Sequence, residues 1–118
     1  MKKILALALV IVSVFAVAIP ALAAVWSDRY GDDDLYSNTQ GDVDRYIRNV
    51  QADLNKYFEN VSMWQIEVDG YYGEETKTAV RRFQLLTGLS IDGITGDDTK
   101  DKLWEVYQGT ISPYPPFN

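Results

Sequence analysis

The chain has no cysteine and no histidine among its 118 residues. The first absence removes disulfide staples, thiol nucleophiles and any lipid anchor built on a cysteine. The second removes histidine metal ligands and histidine bases. Zinc peptidases and amidases of the His-ligated kind, Cys–His peptidases and Ser-His-Asp hydrolases are therefore all excluded. Positive charge is also scarce: 11 Lys and Arg stand against 17 Asp and Glu, a net charge of −6. Nucleic acids and anionic membranes attract proteins by phosphate neutralisation, so neither is expected as a partner. No long alternating run predicts an extended strand.

Carboxylates are plentiful, and a pair of them can hydrolyse a glycoside. Abundance in an acidic chain does not make a site, so no catalytic residue is assigned and the chain is expected not to be an enzyme. Asp32-Asp33-Asp34 fits no EF-hand spacing and reads as a solvated turn. No metal or cofactor is expected.

One apolar run is present. Met1-Lys2-Lys3 precedes Ile4 to Ile19, which is interrupted only by Ser13, and Pro20 and Ala21-Leu22-Ala23 follow. The run falls short of the ~20 residues of a membrane span. Positive start, apolar middle and small-residue exit together predict a bacterial secretory signal peptide over 1–23. The mature chain is then expected to be secreted to the cell wall or envelope, with no membrane contact after cleavage. Losing Lys2 and Lys3 takes the net charge from −6 to −8. A chain of this size buries only about 60–65 % of its surface, so one core must carry it.

Beyond the signal peptide, 24–41 reads as an irregular acidic leader, 42–107 as the folded domain and 108–118 as a tail rich in proline and aromatics. Val43, Ile47, Val50, Leu54 and Tyr57 recur at helical spacing and predict a helix from Asp42, as its cap, to about Phe58. Thr76, Ala79, Val80, Phe83 and Leu86 predict a second helix over 74–87, stopped by Gly88. Thr99, Leu103 and Val106 predict a third over 97–107. Very short extended pieces are expected at Glu67-Val68 and Ser90-Ile91.

One loop is written twice. VDGYYGEETKTAV begins at Val68, and IDGITGDDTKDKL begins at Ile91. Val68 and Ile91 are expected to point into the core. Asp69 and Asp92 can accept backbone N–H groups just ahead of them. Gly70 and Gly93 supply positive φ. Gly73 and Gly96 stand where the chain enters the next helix, and the hydroxyls of Thr76 and Thr99 can bond back toward the turn. All eight residues are read as a structural device for entering a helix at a fixed angle.

Gln51-x-x-Leu54, Val68-Asp69-Gly70-x-Tyr72-Gly73-x-x-Thr76, Ala79-Val80-x-x-Phe83-Gln84, Gly88-Leu89-x-x-Asp92-Gly93-x-x-Gly96-x-x-Thr99 and Leu103 together resemble the peptidoglycan-binding domain family. That family is a small module often attached to bacterial wall hydrolases. The resemblance implies an all-α fold, a small three-helix bundle with two repeated Asp-Gly loops. It also implies a non-catalytic role, expected here without an attached enzyme domain. The implied partner is the glycan or the stem peptide of peptidoglycan. An alternative is a protein-interaction module that holds a cell-wall hydrolase or other exported protein through Leu85, Trp104 and the tail. The path from Asn55 to Glu67 is longer than the family's and carries Tyr57, Phe58 and Trp64. Sugar C–H faces pack on aromatic rings, and amides need placed hydrogen-bond partners. Trp64, Tyr71, Tyr72 and Gln84 are accordingly the ligand-binding candidates. Gln51 and Gln84 could each instead tie down a loop. Trp64 and Tyr71 are expected to flank one groove mouth.

Overall fold

A computed structural model describes residues 26–38 and 43–110. The segment 1–23, read above as a signal peptide, Asp42 and the tail over 111–118 lie outside those residues. Three helices form the body: α1 (Asp44–Asn60), α2 (Glu74–Leu86) and α3 (Asp97–Gln108). Among the described residues there is no strand, only an isolated antiparallel bridge between Leu35 and Thr95. No described helix is long and apolar enough to cross a membrane.

Helix α1 is the central element and packs against both α2 and α3. Its buried stripe of Ile47, Val50, Leu54, Tyr57 and Phe58 meets Ala79, Val80 and Phe83 of α2 and Leu103 and Val106 of α3. Tyr57 stands edge-on to Phe83 at 5.0 Å and 88°, a preferred geometry for aromatic quadrupoles. The helix begins one residue later than expected from an Asp42 cap. Val43 occupies the cap position and makes no side-chain cap bond. The longer path after Asn55 is taken up partly by helix: α1 runs on to Asn60 and buries Tyr57 and Phe58 within the core.

All three helices stop in the same way. Backbone N–H groups fold back on the last turn in the six-to-one and five-to-two pairing of a Schellman cap. The pairs are Met63 to Phe58 and Ser62 to Glu59, Leu89 to Gln84 and Gly88 to Leu85, and Thr110 to Glu105 and Gly109 to Val106. The pivot of each cap is left-handed: φ is 76° at Gly88, 75° at Gly109 and 57° at Ser62. Ser62 is the only non-glycine with positive φ among the described residues.

The leader differs from the expectation of an irregular segment. Residues 26–30 are helical, and Trp26, Tyr30 and Leu35 are buried in the common core. Polar groups also hold the leader, tying it to α1 and α3. Arg29 makes a two-point contact with the buried Asp53 carboxylate at 2.7 and 2.8 Å, and the Tyr30 hydroxyl donates to the same group at 2.6 Å. Burial beside that carboxylate pushes the Tyr30 phenol well above its usual range. The Trp26 indole donates to Asp101. The buried Lys100 ammonium donates to the carbonyls of Gly31 and Asp33 at 2.8 and 2.6 Å and lies 5.0 Å from the Trp26 ring. Desolvation lowers its pKa, against the pull of Asp97, Asp34, Asp32 and Asp33. Such a segment lacks helical periodicity because its anchors are single residues, each matched to a different element.

Candidate functional site

The two repeated loops are built on one device. Gln51, buried on α1, accepts the N–H groups of Asp69 and Gly70 at 3.0 and 2.9 Å through Oε1. Its Nε2 donates to Asp69 Oδ1, the Tyr71 carbonyl and Thr76 Oγ1 at 3.0 to 3.1 Å. Gln84, buried on α2, repeats this one loop later. Its Oε1 accepts from Asp92 and Gly93, both at 3.0 Å. Its Nε2 donates to Asp92 Oδ1, the Ile94 carbonyl and Thr99 Oγ1 at 2.9 to 3.0 Å. Each aspartate also accepts the N–H two residues ahead, Tyr71 at 3.0 Å and Ile94 at 2.9 Å. The bond from the Tyr71 N–H, with the one from Gln51, holds the Asp69 carboxyl below its usual pKa.

Gly70 and Gly93 sit at φ 77° and 75°, as the turn chemistry requires. A side chain is barred there for a second reason. At Gly70 a Cβ would lie 2.0 Å from Oδ1 of Asp44 and 3.1 Å from the Nε of Arg48, and at Gly93 it would lie 3.1 Å from the Nε of Arg81. Each arginine precedes its glutamine by three residues, so Arg-x-x-Gln belongs to the repeat as well. Sequence reasoning missed this pair. Gly73 and Gly96 are extended N-cap positions of α2 and α3, and Thr76 and Thr99 are buried in the first turns.

Val68 and Ile91 depart from the expectation that they enter the core. Both are exposed, and neither belongs to an extended piece. The loop turns its N–H groups at 69–70 and 92–93 inward to the glutamines, which sends the preceding side chain outward. The leader crosses both loops: Asn38 donates to the Gly70 carbonyl and accepts from the Tyr72 N–H, and Leu35 pairs with Thr95.

The four ligand candidates divide. Gln84 is 1 % exposed and lies at the floor of a cleft, but both its amide atoms are committed to the loop. Tyr72 is buried, and its hydroxyl lies 2.7 Å from the Gly93 carbonyl and 3.0 Å from Thr95 Oγ1. Burial, despite the bond to Thr95, pushes its phenol up to about 12. Both residues are therefore turned to the interior. Tyr71 is 65 % exposed and Trp64 86 % exposed. The Tyr71 ring lies over Gly73, where a Cβ would sit 2.4 Å from Cε2.

Trp64 stands between two anchored points. Before it, Met63 is fixed by the cap of α1 and packs on the core. After it, Ile66 exchanges two hydrogen bonds with the Asn55 side chain, at 2.8 and 2.7 Å. The Trp64 side chain lines two clefts. One cleft, of about 330 Å³, runs along the outer face of α2 past Gln65, Ile66, Glu74, Glu75, Thr78 and Arg82. The other, of about 290 Å³, is lined by Ser62, Met63 and again Arg82. Among the described residues Arg82 has neither an ion pair nor a hydrogen bond. The cleft beside the second loop is different: Asp34, Asp92, Asp97 and Asp98 line it, with no cation.

An all-helical bundle with two glutamine-tied Asp-Gly loops defines a small binding module. The chain belongs to the peptidoglycan binding domain family, which it matches over residues 44–103. It is 67 % identical over 36 residues to the N-acetylmuramoyl-L-alanine amidase CwlL of Bacillus licheniformis, a match covering 30 % of this chain and 10 % of the amidase. It is 41 % identical over 49 residues to the zinc D-Ala-D-Ala carboxypeptidase of Streptomyces albus G, covering 42 % of this chain and 19 % of that enzyme. An uncharacterized protein of Kitasatospora aureofaciens is 51 % identical over 45 residues, which cover 37 % of this chain and 38 % of that protein. The chain thus spans a minor part of the curated relatives it matches. No solved structure matches it significantly.

Proposed function

We propose that this protein is an exported, non-catalytic peptidoglycan-binding protein of the bacterial cell envelope, and that Trp64 is its principal contact. The observation that carries the reading is an 86 % exposed tryptophan, braced on both sides above a groove, in a domain of this family. A rigid aromatic gives up little conformational freedom on binding and offers a large apolar face. Tyr71 adds a second exposed ring. The non-catalytic part is supported by the lack of His and Cys and by the structural duties of the loop carboxylates. The regions shared with the amidase and the carboxypeptidase are small parts of each enzyme, which suits an anchoring segment better than a catalytic one.

The test is co-sedimentation with purified sacculi at moderate salt. The mature protein is expected in the pellet, with no new reducing ends or amino groups released. Release that scales with protein purity would refute the non-catalytic part, and protein left in the supernatant would refute the binding part. A second reading, a module for another exported protein such as a wall hydrolase, is favoured by Leu85, which is 58 % exposed on α2. It gains only from the supernatant outcome.

A further inference from the structure

We propose that the cleft between Trp64 and α2 takes the peptide part of the wall, a short peptide carrying a free carboxylate and a free amine, and not the sugar chain. This rests on the wall-binding reading above and names the ligand chemistry of its site. The argument is one of charge placement. A chain of N-acetyl sugars carries no charge of its own, so it can hydrogen-bond to ionic groups at its binding site but cannot form ion pairs with them. The cleft has ionic groups at both ends. Glu74 and Glu75 lie at the start of α2, and Arg82 lies two turns further along the same groove. At 1.5 Å per residue the Glu74 and Arg82 backbones are about 12 Å apart along the helix. An extended peptide covers that distance in roughly three to four residues.

The charges are also available. Arg82 has no partner among the described residues, and the Glu74 side chain is 82 % exposed, with only a 3.9 Å contact to Lys77. Arg82 can meet a carboxylate through two parallel N–H bonds, a geometry that point charges lack. The Trp64 ring, which lines the same cleft, suits the aliphatic and amide parts of a peptide. A volume of about 330 Å³ is at the small end for ligand sites and fits a few residues. The acidic cleft at the second loop, lined by Asp34, Asp92, Asp97 and Asp98, would repel the same carboxylate. Of these clefts, only the one along α2 pairs Arg82 with carboxylates and so suits a zwitterion.

The experiment uses two soluble probes on the mature protein, followed by the Trp64 indole N–H resonance. One is a synthetic wall tripeptide with a free side-chain amine and a free C-terminus. The other is a tetramer of N-acetylglucosamine. The peptide is expected to shift the Trp64 signal saturably, and the tetramer to leave it unmoved. Arg82→Gln, or amidation of the peptide C-terminus, should weaken peptide binding at least tenfold, and acetylation of its amine should weaken it too. Arg82 is on an outer helix face, so the variant is expected to fold, and its melting temperature verifies that. Binding of the sugar tetramer in place of the peptide would overturn the proposal, as would an unchanged peptide Kd in Arg82→Gln. If sacculi pellet the protein but neither probe moves Trp64, this inference fails and the wall-binding reading stands. If sacculi do not pellet it, both fail.

Discussion

Replacing Gln84 by methionine isolates the device on which the loops depend. Methionine fills nearly the same volume and has similar helix propensity, so packing changes little while the amide is lost. The Gly93 N–H is buried and loses its acceptor, and a buried donor left alone costs about 1–3 kcal/mol. The Asp92 N–H is less enclosed, and water can partly replace its partner. The Ile94 carbonyl and Thr99 hydroxyl lose a donor. Taken together, a loss of about 2–4 kcal/mol is expected at this central amide. That is a large fraction of the roughly 5–15 kcal/mol that holds a small domain together. Urea unfolding reads the loss as a lower midpoint with an unchanged slope. Gln51→Met removes the same set of bonds from the first loop and should cost a similar amount. A loss below about 0.5 kcal/mol in either variant would refute the claim that the glutamines hold the loops, since even one ordinary hydrogen bond contributes about that much.

Other perturbations reach the remaining elements. Ser62→Gly should stabilise the protein by about 0.5–1 kcal/mol in urea unfolding. It relieves a left-handed φ of 57° that costs an L-residue roughly 1–2 kcal/mol, less the extra freedom glycine gives the unfolded chain; a destabilised variant would contradict the cap. Trp26→Ala should cost about 3 kcal/mol or more, because Trp26 is buried against α3 and the core; an unchanged melting temperature would show the leader to be dispensable. Asp69→Asn keeps an acceptor at the turn but removes the charge. The Asp69 pKa is lower folded than unfolded, so its stabilisation is present above the usual carboxylate pKa and is lost as pH falls through the folded value. The stability gap between wild type and Asp69→Asn should therefore close on acidification from neutral pH to about 3, and a gap that widens would reverse the sign of the argument.

The helices were legible because their apolar residues recur at 3.6 spacing, and the repeated loops because their glycines and aspartates are fixed by turn geometry. The glutamine hubs were half legible. Gln51 and Gln84 are 33 positions apart, whereas the loops they hold are 23 apart, so no fixed offset ties each hub to its loop. The ten extra residues in the first unit go into the last turns of α1 and the Trp64 loop. Arg48 and Arg81 escaped for the same reason. The leader was illegible because Trp26, Tyr30 and Leu35 have no common period, and their partners Asp53, Lys100, Asp101 and Thr95 lie far along the chain. For Val68 and Ile91 the residue type suggested burial, but the direction of the neighbouring N–H groups decided against it. Trp64 stood out as an aromatic off every core stripe, whereas nothing in the helical period marks Arg82 as lining the same cleft.

The central claim is that Trp64 is an exposed contact for the wall and not a piece of the core. Its most direct test is one variant, Trp64→Ala, measured for both sacculus affinity and thermal stability. The account predicts affinity lower by about 5- to 30-fold, the 1–2 kcal/mol of an ordinary interface aromatic, with a melting temperature within a degree or two of wild type. Retained affinity together with a large drop in melting temperature would contradict it.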